Sequence, residues 1–254
     1  MQLRNCIMML VSSVAAAGTS FDMTARDLLY PSMEPSVTHH FVQNGQTRIE
    51  TADGVAALFR NQSIITIDPR SRTVRINNGA TRDRTLTRMV AQVDALRRKA
   101  VTLPADQRAK MEEQATYLEN LRLETYKTIS REYTVTRRSE VVDGHECRIW
   151  RETENGAMRL ELCVVPVGEL PGGDEILAGM KTLSEFPAFG SVAAVGVELG
   201  YGEWWPGIDS LVGLPILVRE FEHGDAAFES TISNVRSGVP VGARFDIPQG
   251  YQRK

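Results

Sequence analysis

Residues 141–166 read VVDGHECRIWRETENGAMRLELCVVP. Two strand-like runs flank the turn signal Glu154-Asn155-Gly156, the pattern of a β-hairpin. If those three residues form the loop, Thr153 faces Ala157, and counting outward places Cys147 directly opposite Cys163. Facing residues of an antiparallel pair are close enough for a disulfide to close. The stretch therefore predicts a hairpin that can be covalently stapled. His145, two residues before Cys147, shares its face, so free thiols and a His-Cys-Cys metal site stay open as alternatives to the bridge.

Outward from this hairpin, the N-terminus bears on which alternative holds. Arg4 precedes an apolar, small-residue run from Cys6 to Ala17 that ends in Ala15-Ala16-Ala17. That is the pattern of a cleaved export signal over residues 1–17, and it is too short to span a membrane. The protein is expected to be exported, with a mature chain from Gly18 to Lys254. Of the three cysteines, Cys6 leaves with such a leader, and the remaining pair would meet an oxidising compartment that favours the bridge.

The chain has 254 residues, 42% hydrophobic and 24% charged, with a formal net charge of −3; loss of Arg4 takes this to −4. A balance of this sign argues against nucleic acid as a partner. Arg70-Ser71-Arg72, Arg82 to Arg88 and Arg97-Arg98-Lys99 are basic clusters, read as solvated faces offset by acidic residues elsewhere.

Val37–Val42, Gln46–Thr51, Val55–Arg60, Ser63–Asp68 and Thr73–Asn77 are short alternating runs separated by turn residues, which predicts an antiparallel meander. Thr19–Ser36, with Pro31 and Pro35, reads as an irregular entry segment. Leu86, Met89, Val90, Val93 and Leu96 then follow helical spacing, and Pro104 opens a second helix to Leu123. This makes an insertion near residues 82–123. Its second helix has only a narrow apolar stripe, Met111, Ala115 and Leu118 with Leu121 as a further candidate, expected to lay one edge against the body. Tyr126–Arg138 alternates again before the hairpin. Asp174–Phe186 is an amphipathic helix carrying Ile176, Leu177, Met180 and Leu183. Phe189–Ile208 is apolar, rich in aromatic residues and broken by glycines. Leu214–Phe221 and Ala227–Val235 read as a last strand pair. The fold class expected is α+β in one mature domain, residues 18–254.

No nucleophile elbow, phosphate loop, dinucleotide fingerprint or zinc-protease motif is present. No catalytic residue, cofactor or metal is assigned. His39-His40 would point to opposite faces of a strand and cannot easily grip one ion. Glu152, Glu154, Glu161 and Glu169 are read mainly as the wet face of strands. Ile176, Met180, Leu183, Phe186, Phe189, Trp204 and Trp205 are the candidate lining of a ligand pocket.

Four stretches carry a resemblance. They are Ser63–Asn77 (SIITIDPRSRTVRIN), Val142–Cys147 (VDGHEC), Gly213–Ile216 (GLPI) and Phe245–Tyr251 (FDIPQGY). In this order the chain resembles an uncharacterised exported group similar to the periplasmic lipoprotein-carrier, or LolA-like, superfamily. The resemblance implies a strongly curved antiparallel sheet, a half-barrel wrapped around a few helices, with an apolar space for acyl chains or other hydrophobic molecules. It brings no catalytic residues. The expected function is a periplasmic binding or carrier protein for a lipid or acyl ligand. The alternatives are an envelope interaction module with a protein partner and no small ligand, and last a hydrolase.

Overall fold

The computed structural model describes residues 17–124, 131–184 and 211–254. Its frame is one 12-stranded sheet, antiparallel except at one edge. A first meander runs β1 (Ala17–Asp27), β2 (Ser36–Gln43), β3 (Gln46–Thr51), β4 (Ala56–Arg60), β5 (Ser63–Asp68) and β6 (Thr73–Asn78). A second runs β7 (Arg131–Val142), β8 (His145–Glu154), β9 (Ala157–Val165), β10 (Leu214–Glu222) and β11 (Asp225–Pro240). β1 and β11 pair and join the two meanders, and β12 (Gln252–Arg253) lies parallel to β6 at the far edge. With its helices the chain is α+β, as the alternation of periods predicts.

β1 corrects the sequence reading. The first half of Thr19–Ser36, expected to be irregular, belongs to an 11-residue central strand, Ala17–Asp27. Thr19, Phe21 and Met23 are buried, while Ser20, Asp22 and Thr24 between them are half-buried. This is the period-2 signal of a strand, masked by the two prolines that follow it.

The insertion forms α1 (Gly79–Ala100) and α2 (Ala105–Glu124). These helices pack on each other, and α1 meets the sheet at β6. Ala115 is fully buried against this pair, so the narrow stripe of α2 serves α1 rather than the body of the sheet. α3 (Gly173–Ser184) lies on β1 to β4. Among the described helices, the sheet therefore curves round α3 alone.

Cross-strand register sorts the side chains into two faces. Phe21, His40, Val42, Thr47, Ile49, Ala57, Phe59 and Ile64 share the face under α3. The same face continues through Ile232, Val218 and Leu162 onto β11, β10 and β9. On the other face, Ala56, Leu58, Ile65, Ile67 and Val74 form a second core with Val241 and Phe245. The C-terminal segment closes that face. Arg48 donates to the Arg244 carbonyl at 2.7 Å and Arg60 to the Phe245 carbonyl at 3.0 Å. The Arg244 guanidinium stacks 4.1 Å over Phe41. The F-x-I-P-x-G-Y ending is thus the cover of the first meander's second face.

The stapled hairpin forms with a different register. Asn155 and Gly156, with φ of 52° and 81°, make a two-residue type I′ turn, so Glu154 rather than Thr153 faces Ala157. Arg159 is then an extra residue in a β-bulge, and beyond it Ile149, not Cys147, faces Cys163. Turn and bulge together shift the pairing by two residues, which leaves every side chain on its expected face. Cys147 and Cys163 become diagonal neighbours with Cα atoms 5.2 Å apart and are joined by a disulfide.

Candidate functional site

α3 is seated by small residues and by polar anchors at both ends. Asp174 and Glu175 in its first turn suit the positive end of the helix dipole. The Thr19 hydroxyl donates to Glu175, and the Thr182 hydroxyl donates to the Gly45 carbonyl. Between them Gly179 faces the sheet. A methyl group there would stand 2.7 Å from the Thr47 hydroxyl and 2.8 Å from Val42, so glycine sets the helix-to-sheet distance.

Ile176, Met180 and Leu183 project from this helix into the core and are buried. The structure therefore brings together three of the seven candidate lining residues. Phe186, Phe189, Trp204 and Trp205 lie outside the described residues, as do residues 1–16 of the expected leader. Ala17, placed in that leader, opens β1 and pairs with Pro240.

The apolar face is wide. From β5 to β9 it crosses eight neighbouring strands, about 34 Å at the usual strand spacing. One α-helix with its side chains is about 10–12 Å across. α3 lies on β1 to β4, about half of that width.

Two ionisable groups sit within this apolar surface, beside the hydroxyls of Thr19, Thr47 and Ser230. His40 is buried, stacked on Phe21 with ring centroids 4.7 Å apart, and Nε2 is 2.9 Å from the Thr38 hydroxyl. Burial pushes its pKa down to about 3, against the opposing pull of Asp22, and nearby His39 lowers it further. His39 points to the other face, with Nδ1 2.6 Å from Asp22. The two histidines diverge as strand geometry requires. Glu152 is the second buried group and accepts a hydrogen bond from the Tyr133 hydroxyl.

Glu152 and Glu161 correct the sequence reading, because neither is on a wet face. Glu161 accepts from Arg138 at 2.9 Å and from Arg151 at 3.1 Å. It belongs to a network on the face that carries the disulfide. Arg219 grips Glu140 with two hydrogen bonds of 2.9 Å and Glu229 with one of 2.8 Å. The Arg219 contact holds the Glu140 carboxyl below the usual carboxylate range. Glu140 lies on β7 and Arg219 on β10, three strands apart in the sheet order. A bulge between Val135 and Ser139 bends the β7–β8 hairpin, so its tip lies back over the sheet. Asp143 in that tip reaches the backbone N–H of Asn234 on β11 at 3.2 Å. Every charge in this network has an opposite partner, which is the arrangement of a structural clamp.

No family model matches this chain, and no curated protein matches it. Solved structures with a partial likeness exist. An uncharacterized conserved protein from Thermus thermophilus has a TM-score of 0.45 at 6% identity, over 94% of this chain and 90% of the other. MucB has a TM-score of 0.40 at 10% identity, over 93% of this chain and 59% of MucB. The MucA/MucB complex of Pseudomonas aeruginosa gives 0.39 at 8% identity, over 93% and 57%. This chain spans less than two thirds of the length of MucB in those structures.

Proposed function

We propose that this chain is an exported binding or carrier protein whose ligand is a lipid or another acyl-chain molecule. The ligand would lie on the α3 side of the sheet, lined by Ile176, Met180 and Leu183 and by the Phe186–Trp205 stretch that follows the helix in sequence. The observation that supports the reading is the mismatch of widths: an apolar face about 34 Å broad, of which α3 lies on four strands out of eight. The chemistry fits, since pockets for apolar ligands are mostly apolar with a few fixed polar groups. His40 and Glu152, each with a hydrogen-bond partner, would be those groups. The reading assigns no catalytic residue, no metal and no cofactor. Native mass spectrometry of protein purified from an envelope fraction, followed by extraction, is the test. A retained acyl lipid in stoichiometric amount is expected. A homogeneous ligand-free species that also takes up no added fatty acid would overturn it.

A second reading is an envelope interaction module without a small ligand. It is favoured by α1 and α2, whose described contacts are chiefly with each other. Crosslinking in intact cells from positions on these helices would then recover a protein partner, and deletion of the helices would abolish it.

A further inference from the structure

The tip of the α1–α2 hairpin carries a surplus of positive charge. Between Arg97 and Lys110 there are five cations, Arg97, Arg98, Lys99, Arg108 and Lys110, against the single carboxylate Asp106. Arg97 is turned onto Glu119 of α2. Arg98, Lys99, Arg108 and Lys110 are exposed. Arg108 donates to the Leu103 carbonyl at 3.2 Å, so its guanidinium stands at the turn. Val101, at the apex, is 74% exposed.

Helix stability explains only half of this. Arg97, Arg98 and Lys99 lie in the last turn of α1, where cations meet the negative end of the dipole. Arg108 lies in the first turn of α2 and Lys110 just beyond it, close to the positive end, where a cation is unfavourable. Cations from both helices also repel one another across the turn. Asp106, Glu112 and Glu113 on α2 and Asp94 on α1 offset part of this cost, but Asp94, Glu112 and Glu113 sit further from the apex than the cations, so the end of the hairpin itself presents a cationic surplus.

We propose that this tip docks on the headgroups of an anionic phospholipid bilayer, with Val101 entering the headgroup layer. The shape favours a bilayer over a folded protein. Two adjacent helix ends span about 20 Å and present a few hundred Å², well below the roughly 800 Å² per partner of a specific protein interface. A lipid surface requires only charge and an apolar point. α1, with 22 residues, carries the tip about 33 Å along its axis from its start at the end of β6, and the described contacts of the hairpin are chiefly between its own two helices. The inference goes beyond the cargo reading and does not depend on it.

The test is co-sedimentation of the full chain with two kinds of vesicle, phosphatidylcholine alone and phosphatidylcholine with one third phosphatidylglycerol. Binding is expected only to the anionic vesicles, and half-molar salt should release it. Each basic residue near an anionic surface contributes roughly fivefold in partitioning, so Arg98→Gln with Lys99→Gln should lower binding roughly 25-fold. Arg108→Gln with Lys110→Gln should do the same from the other helix. Val101→Asp should weaken it further. Arg26→Gln with Arg253→Gln, which removes exposed charges away from the tip, should leave binding unchanged. Any contribution of the N-terminal leader is common to all of these chains. Equal binding to neutral vesicles, or tip variants that bind like the parent, would overturn the proposal. So would capture by an acidic protein or by duplex DNA with the vesicles left unbound.

Discussion

His40 couples the stability of this protein to pH. Its ring is buried and held neutral, with a pKa lowered to about 3 from an ordinary 6.5. Between those values the unfolded chain binds the proton and the folded chain does not. The stability that this group contributes is therefore fully present above pH 6.5 and is lost as pH falls toward 3. Each pH unit is worth about 1.4 kcal/mol, so acidification from about 6.5 to about 5 should cost about 2 kcal/mol. His40→Phe keeps a ring on Phe21 and removes the proton site; urea midpoints at pH 7 and pH 5 should then differ much less than in the parent. Glu140 acts in the same direction but in a lower window. Its carboxyl pKa is depressed by Arg219, so its contribution is present above the ordinary carboxylate value and fades as pH falls through the folded one. Glu140→Gln should leave the pH 7 to pH 5 difference intact while lowering stability at both. Little of this was legible at the level of single residues. Glu152 and Glu161 look like exposed strand carboxylates until Tyr133, Arg138 and Arg151 are brought beside them by register.

The elements differ in how far local sequence specifies them. α3 is legible from its apolar spacing, yet its height above the sheet is set by Gly179. Alanine is the better helix former by about 1 kcal/mol, but its methyl would crowd Thr47 and Val42. Overpacking of this kind costs about 1–3 kcal/mol, so Gly179→Ala should lower the melting temperature in spite of its propensity. A rise would show that α3 sits more loosely than the structure has it. The hairpin at β8 and β9 was legible as a hairpin but not in register, because nothing in Met158-Arg159-Leu160 announces a bulge. Its disulfide closes a span of 16 residues and should contribute about 3 kcal/mol by chain entropy. The Cys147→Ser/Cys163→Ser double variant should lose about that much. Amide exchange should speed up first in the Glu140–Cys147 tip, which the bridge and the Arg219 network hold down. Uniform acceleration across β8 and β9 would locate the effect in the unfolded chain instead.

At the scale of the whole molecule, the sheet has two apolar faces in its first meander and covers each with a different part of the chain. α3 takes one, and the segment from Val241 to Tyr251 takes the other. Truncation after Pro240 would expose Leu58, Ile65, Ile67 and Val74 together. The truncated chain should bind a hydrophobic dye and melt at least several degrees lower, or aggregate. Unchanged melting with no dye binding would mean that the C-terminal segment is only an appendage. β1 is the other whole-molecule device. It pairs with β2 on one side and β11 on the other, so two meanders separated by a helical insertion become one sheet.

Local pattern was enough for the α+β class, the strands of both meanders apart from β1, the three α-helices among the described residues and a hairpin with two cysteines on one face. These follow from periods of about 2 and about 3.6 and from turn residues, which act within a few positions along the chain. Three things waited on the folded chain. One is which neighbours surround each carboxylate, and another is which segment covers each face. The third is that Cys147 meets Cys163 on the diagonal rather than directly across. Those outcomes depend on register and on contacts across the fold, where one bulged residue, Arg159, changes what faces what without leaving a mark on the local pattern.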